Sequence, residues 1–240
     1  MAYIFPRWAN RIPAILVLAL GGLSTVIVIG GWYYLTPDYF KVGYEPDQPV
    51  DYNHQLHAGT LGIDCRYCHS QVEESPHSNV PSNTVCMGCH AGEGDVAFLS
   101  RELWNAHKIN ANLIRVREAY ETGEPIRWRR IHKVPEYAHF NHAVHVNAGV
   151  SCYSCHGRVD QQIVARQEHS LGMGWCLDCH RNPEEFVVDV RGTLGDAVAV
   201  TDLSAVEQAL GTPGYADQFG EQLVREKQLQ PPEHCAACHY

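Results

Sequence analysis

Ten cysteines fall into five pairs, Cys65/Cys68, Cys86/Cys89, Cys152/Cys155, Cys176/Cys179 and Cys235/Cys238, and none is left over. Each pair is spaced C-x-x-C, and a histidine follows the second cysteine every time: His69, His90, His156, His180 and His239. Two thiols at this spacing can form thioethers with the two vinyl groups of a haem, and the adjacent imidazole is placed to ligate the iron. C-x-x-C-H is the attachment signature of haem c. Three other readings fit less well. Disulfides explain paired cysteines in an exported chain but not the recurring histidine. A zinc ribbon gathers four ligands per metal from two C-x-x-C units, and five units leave an odd half-site. A thioredoxin-like redox pair accounts for one unit, not five. The sequence therefore predicts five covalently bound haem c groups, with the ten cysteines as attachment points and the five histidines as proximal ligands.

The ligand on the other face of each iron decides what such a chain can do. An iron closed on both sides transfers electrons, whereas an open position admits substrate, so axial-ligand identity is the main lever. Of 15 histidines, five are used by the motifs. Two H-x-x-H pairs stand out among the rest: His54/His57 ahead of Cys65 and His142/His145 ahead of Cys152. Met173, just before Trp175-Cys176, is the fifth candidate, with His169 as its rival. A thioether is the weaker donor and raises the potential relative to histidine. Met87 lies inside the second attachment loop and is poorly placed to cap its own haem. His77, His107, His132, His139 and His234 are read as surface or hydrogen-bonding residues.

Several elements must position these groups. Residues 1–11 carry Arg7 and Arg11; residues 12–35 are free of charge and long enough to span a bilayer, which takes about 20 residues. Trp32, Tyr33 and Tyr34 close the run as an interfacial aromatic belt would. A cleavable signal has a shorter apolar region of about 7–15 residues ending at small residues, so the segment reads as an uncleaved anchor. The arginines place residues 1–11 in the cytoplasm and the rest outside the bacterial cytoplasmic membrane, on the side where haem c is attached. Gly21, Gly22, Gly30 and Gly31 would let the anchor approach partner helices closely.

Residues 36–50, with Pro37, Pro46 and Pro49, form a stalk, and a duplication follows about 90 residues apart. Asn53-His54-x-x-His57 matches Asn141-His142-x-x-His145, and Gly62-Ile63-Asp64-Cys65 matches Gly149-Val150-Ser151-Cys152. Two dihaem modules are expected, at 51–90 and 139–183. Between them, 91–138 holds a segment of helical periodicity from Asp95 to Tyr120. An acidic connector with the fifth motif occupies 184–240. The basic run from Arg101 to Lys133 and the acidic run from Glu184 to Glu226 each read as solvated faces. The formal net charge of −9 offers no basic footprint for nucleic acid. With about 40 residues per haem outside the anchor, the porphyrins must replace much of an ordinary core, as staples do in small domains. Short helices, irregular connections and almost no sheet are expected.

The H-x-x-H segments resemble those of the small class III cytochromes c: Phe140-Asn141-His142-Ala143-Val144-His145 fits F-x-H-x-x-H fully, and Tyr52 replaces phenylalanine in the first copy. That resemblance implies His54 on the first haem, His142 on the third, and His57 and His145 reaching to two others. Over nearly its whole length the chain resembles the pentahaem cytochrome subunit of bacterial alternative complex III, a quinol:electron-acceptor oxidoreductase. The residues that carry this are Tyr44-x-Pro46, His57-Ala58-Gly59, Gly62-Ile63-Asp64-Cys65-Arg66-Tyr67-Cys68-His69-Ser70 and Met173-Gly174-Trp175-Cys176-Leu177-x-Cys179-His180-Arg181-Asn182-Pro183. The resemblance implies polytopic quinol-oxidising membrane subunits, an iron–sulfur subunit like molybdopterin oxidoreductases, and delivery to a monohaem cytochrome c or a terminal oxidase. It implies no quinol site on this chain. Two alternatives remain: a multihaem reductase, whose open haem often departs from C-x-x-C-H, and an anchored tetrahaem quinol dehydrogenase. No motif here departs, and there are five.

Overall fold

A computed structural model describes residues 6–90 and 110–240. Helix α1 (Ile12–Leu35) is uniformly apolar and has no buried residue. Its aliphatic hydroxyls, Ser24 and Thr25, donate to the Gly21 carbonyl, which satisfies them without solvent. Residues 8–35 form a helix long and apolar enough to cross a membrane by length and composition, although a signal sequence passes the same test. Tyr33, Tyr34 and Tyr39 pack edge to face where α1 meets the short helix α2 (Pro37–Phe40).

Two copies of one local structure follow. In the first, a wide helical turn over Gln55–Thr60 leads through Gly62 to the turn α3 (Cys65–Cys68). Helix α4 (Asn83–His90) carries the second attachment motif. Helix α5 (Ala111–Thr122) packs on α4, begins at an Asn110 cap and ends at Gly123 in a left-handed conformation. In the second copy, α6 (His142–Ala148) leads through Gly149 to α7 (Cys152–His156), and α8 (Met173–Arg181) carries the fourth motif.

The copies agree bond by bond. Gly62 and Gly149 both have positive φ, 67° and 99°, the region in which a side chain is strained. Ile63 N–H donates to the His57 carbonyl and Val150 N–H to the His145 carbonyl, both at 3.0 Å. Asp64 and Ser151 cap the attachment turns by accepting from the main-chain N–H of Arg66 and Tyr153.

The copies also dock on each other reciprocally. Gln55 N–H donates to the Gln162 carbonyl, and Ala143 N–H donates to the Ser75 carbonyl. Asn147 Nδ2 adds a bond to the Glu73 carbonyl at 2.9 Å. The first-copy helical turn thus lies on the loop after the second copy's first motif, and α6 lies on the equivalent loop of the first copy. Gly59 has no room for a side chain, because a Cβ there would meet the Asp160 carbonyl oxygen.

The largest departure from expectation is the acidic segment after Glu184, read above as a solvated face. It holds the apolar core. Val188, Val200 and Val206 are buried together, with Val146, Tyr153, Val190, Val198 and Leu210 packed around them. Helix α9 (Leu203–Leu210) contributes Leu203 and Val206, and α10 (Glu221–Glu226) contributes the fully buried Leu223. The acids project outward while the valines and leucines between them face in, so net charge along the run did not report burial. Asp189 is the exception. It is buried and accepts from Arg191 N–H, Thr193 Oγ1 and Leu194 N–H. The core docks on the second module through Cys152 N–H and Ser151 Oγ, both donating to the Val200 carbonyl. The expectation of almost no sheet holds: among the described residues a lone antiparallel bridge, Val150 to Val187, is the only β pairing. Most of the helical segment expected from Asp95 lies outside the described residues, and α5 covers its end.

Candidate haem centres

The attachment cysteines sit on short helical turns: α3, α4, α7, α8 and a tight turn over Cys235–Ala237. An i, i+3 pair on such a turn puts both thiols on one side. No disulfide joins any of the ten cysteines. Among the described residues no group of three or more His, Cys, Asp or Glu side chains is arranged to hold a bare metal ion. Burial pushes the Cys155 thiol up to about 12 and Cys179 up to about 11, with neighbouring thiolates adding to both.

The imidazoles are held as ligands are held. Nδ1 lies 2.7–2.8 Å from a main-chain carbonyl in six cases: His57 to Asn53, His69 to Asn79, His142 to Pro76, His145 to Asn141, His180 to Pro232 and His239 to Tyr137. A proton fixed on Nδ1 leaves Nε2 with its lone pair for a metal, the arrangement that orients ligating histidines generally. Burial also favours the neutral form, the one that ligates, at His54, His142 and His145. His54 is lowered to about 4 by desolvation and then by His69 and His57. Burial likewise lowers His142 and His145, against the pull of their carbonyl partners.

Two pairs face each other across a gap. His57 and His90 have ring centres 6.3 Å apart, and His145 and His180 have theirs 6.1 Å apart. Two imidazoles bound trans to one iron, each at about 2 Å, put their ring centres about 6 Å apart. Tyr52 stacks on His57 at 4.5 Å and Phe140 stacks on His145 at 4.6 Å, backing each ring so that it cannot turn away. These observations fit haem c: paired thiols on one side, imidazoles with free Nε2 atoms, and the spacing of two-sided ligation.

His54, His69, His142 and His156 lie near one another. His54 feels the charge of His69, His142 that of His69, and the half-buried His156 that of His142, His69 and His54. The attachment loops form a row. Cys68 neighbours Cys86 and Cys89, the Cys65 and Cys152 thiols interact directly, Cys155 neighbours Cys176 and Cys179, and Cys176 neighbours Cys238. The spatial order is thus second, first, third, fourth, fifth. The fifth loop is fastened on both sides. His139 N–H donates to the Cys238 carbonyl, and Arg181 pairs with Glu233 at 2.9 Å.

Met173 opens α8 and is 68% exposed. Its rival His169 stacks on Trp175 at 5.3 Å. Residues not singled out by sequence also take part. Tyr52 and Phe140 back their histidines, and His132, read as a surface residue, lies against His156 with Nε2 3.3 Å from its Nδ1. The aromatic at the first position of both F-x-H-x-x-H segments was a signal for the former; nothing in the spacing around His132 announced the latter. His107 lies outside the described residues.

No protein-family model matches the chain. A similar protein is the menaquinone reductase, multihaem cytochrome c subunit of Nitratidesulfovibrio vulgaris, 26% identical over 187 residues, which cover 70% of this chain and 81% of that one. The likeness and the five repeated motifs agree on a multihaem cytochrome c.

Proposed function

We propose that this chain is a membrane-anchored pentahaem cytochrome c that relays electrons in a quinone-oxidoreductase complex, with no substrate site of its own. The observation that carries the reading is the facing of His57 on His90 and of His145 on His180 at the spacing of two-sided ligation. Bound haems supply one-electron redox chemistry. The protein's task is to hold the attachment loops in a row and to close both faces of each iron. In this reading the ten motif cysteines attach five haems, and His69, His90, His156, His180 and His239 are the proximal ligands. His57 serves the second site and His145 the fourth. The class III resemblance supports His54 at the first and His142 at the third. Met173 is left for the fifth, whose loop adjoins α8. Helix α1 anchors the chain, with Arg7 and Arg11 on the cytoplasmic side and the haem domain on the outer side.

The resemblance to the alternative complex III subunit supports polytopic quinol-oxidising subunits and an iron–sulfur subunit as donors, and a monohaem cytochrome c or terminal oxidase as acceptor. The relative's name supports a second direction of flow, from a donor on the outer side toward menaquinone. Purified protein should contain five haems per chain by pyridine haemochrome and should not bind carbon monoxide at most of them when reduced. Fewer than five haems, or a dominant high-spin ferric signal, would overturn the relay. In membranes holding the whole complex, reduction of these haems by an added quinol with the acceptor side blocked supports the first direction. Reduction only by an outer-side donor supports the second.

A further inference from the structure

His156 differs from three of the other motif histidines in what its Nδ1 meets. His69, His180 and His239 each direct Nδ1 to a main-chain carbonyl; His156 directs it to the Nε2 of another imidazole, His132, at 3.3 Å. The two rings stand nearly perpendicular, 75°, with centres 4.3 Å apart. That separation decides the role of His132. Rings trans on one iron need about 6 Å, the value found at His57/His90 and His145/His180, so His132 is too close to sit across an iron from His156. It lies on the side of the ring away from Nε2, where an orienting partner sits. Its own segment is fixed by Arg130 Nε, which donates to the His132 carbonyl at 3.1 Å.

We propose that His132 is a positioning residue for the third haem site: its Nε2 accepts the Nδ1–H of His156, fixing that ring's tautomer and rotation and strengthening Nε2 as a donor to iron. This inference rests on the haem reading of the preceding section. Accepting the Nδ1–H raises the electron-donating character of His156 above that of the same ring without a partner. Better donation favours the ferric state, and partners of this kind typically alter ligand affinity 10–100-fold when lost.

Redox potentiometry on the full-length, haem-loaded protein tests the proposal, with haem count and carbon monoxide binding measured on the same samples. His132→Ala should keep five haems and all of its low-spin signals, bind no added carbon monoxide, and raise one midpoint potential. The expected shift is about tenfold in that site's ferric-to-ferrous ratio, about 59 mV for one electron. His132→Gln, which offers a weaker acceptor, should shift the same potential upward by less. Should the alanine variant fail to mature, His132→Leu fills the space without an acceptor and carries the same expectation, and the glutamine variant decides if neither matures. An unmoved set of potentials overturns the proposal. So does a new high-spin, carbon-monoxide-binding haem, which would make His132 a ligand. Wild-type protein without covalent haem would instead sink the functional reading beneath it.

Discussion

His145 faces His180 with ring centres 6.1 Å apart and planes tilted by 35°, while its own Nδ1 is held by the Asn141 carbonyl at 2.7 Å. The histidine that precedes the third motif is thus aimed at the fourth. The same relation joins His57, ahead of the first motif, to His90 of the second. In each module the second histidine of H-x-x-H spans from one attachment loop to the next, which ties the loops of a module to each other.

That geometry predicts a localised defect. Replacing His145 by alanine should leave one site in five open, seen as a new high-spin ferric signal and as carbon monoxide binding by about one haem per chain on reduction. His57→Ala should do the same at a different site. Unchanged low-spin spectra in either variant would show that another residue closes that iron.

Met173 is exposed at the start of α8. If it caps an iron, Met173→His should lower one midpoint potential and leave the other four little changed, because imidazole donates more strongly than thioether. A set of five unmoved potentials would remove Met173 from the ligand set.

The acidic connector is expected to behave as core under mutation. Leu223 is fully buried, so Leu223→Ala should cost about 2–5 kcal/mol, measured by thermal or denaturant unfolding of the haem-loaded protein. A change within about 0.5 kcal/mol, as at a surface position, would show that the segment is dispensable to the fold.

Asp189 gives the connector a pH dependence. Burial alone would raise its carboxyl, but hydrogen bonds from Leu194 N–H, from Thr193 and from Arg191 N–H outweigh burial and hold it below the ordinary carboxylate value. A group lowered on folding contributes stability above its unfolded pKa, about 3.9 for Asp, and loses it as pH falls through the folded value. Asp189→Asn should therefore lower the melting temperature at neutral pH, and the gap to wild type should close as pH drops below about 4. A gap constant from neutral to acid pH would exclude ionised Asp189 as its source.

What was legible in the sequence was local and covalent. C-x-x-C-H places two thiols and an imidazole on one turn whatever surrounds them, so Cys65 to His69 and its four repeats could be named without a fold. The duplication was equally visible, since Gly62 and Gly149, and Asp64 and Ser151, repeat a turn and a cap that depend only on their own neighbours. Length and apolarity alone marked Ile12–Leu35 as a candidate span.

Tertiary structure decided everything that required one part of the chain to meet another. Histidines at i and i+3 look interchangeable in sequence; only the fold shows that His57 and His145 face the histidine of the next loop while His54 and His142 lie near His69. The spatial order of the loops, second before first and third beside it, follows from the reciprocal docking of Gln55 on Gln162 and Ala143 on Ser75. No local pattern encodes that docking. The core at Val188, Val200 and Val206 was hidden by the acids between them, because charge is counted along the chain whereas burial depends on which face each residue presents. His132 carried no motif at all, and its contact with His156 exists only because chain folding brings the two imidazoles within 3.3 Å.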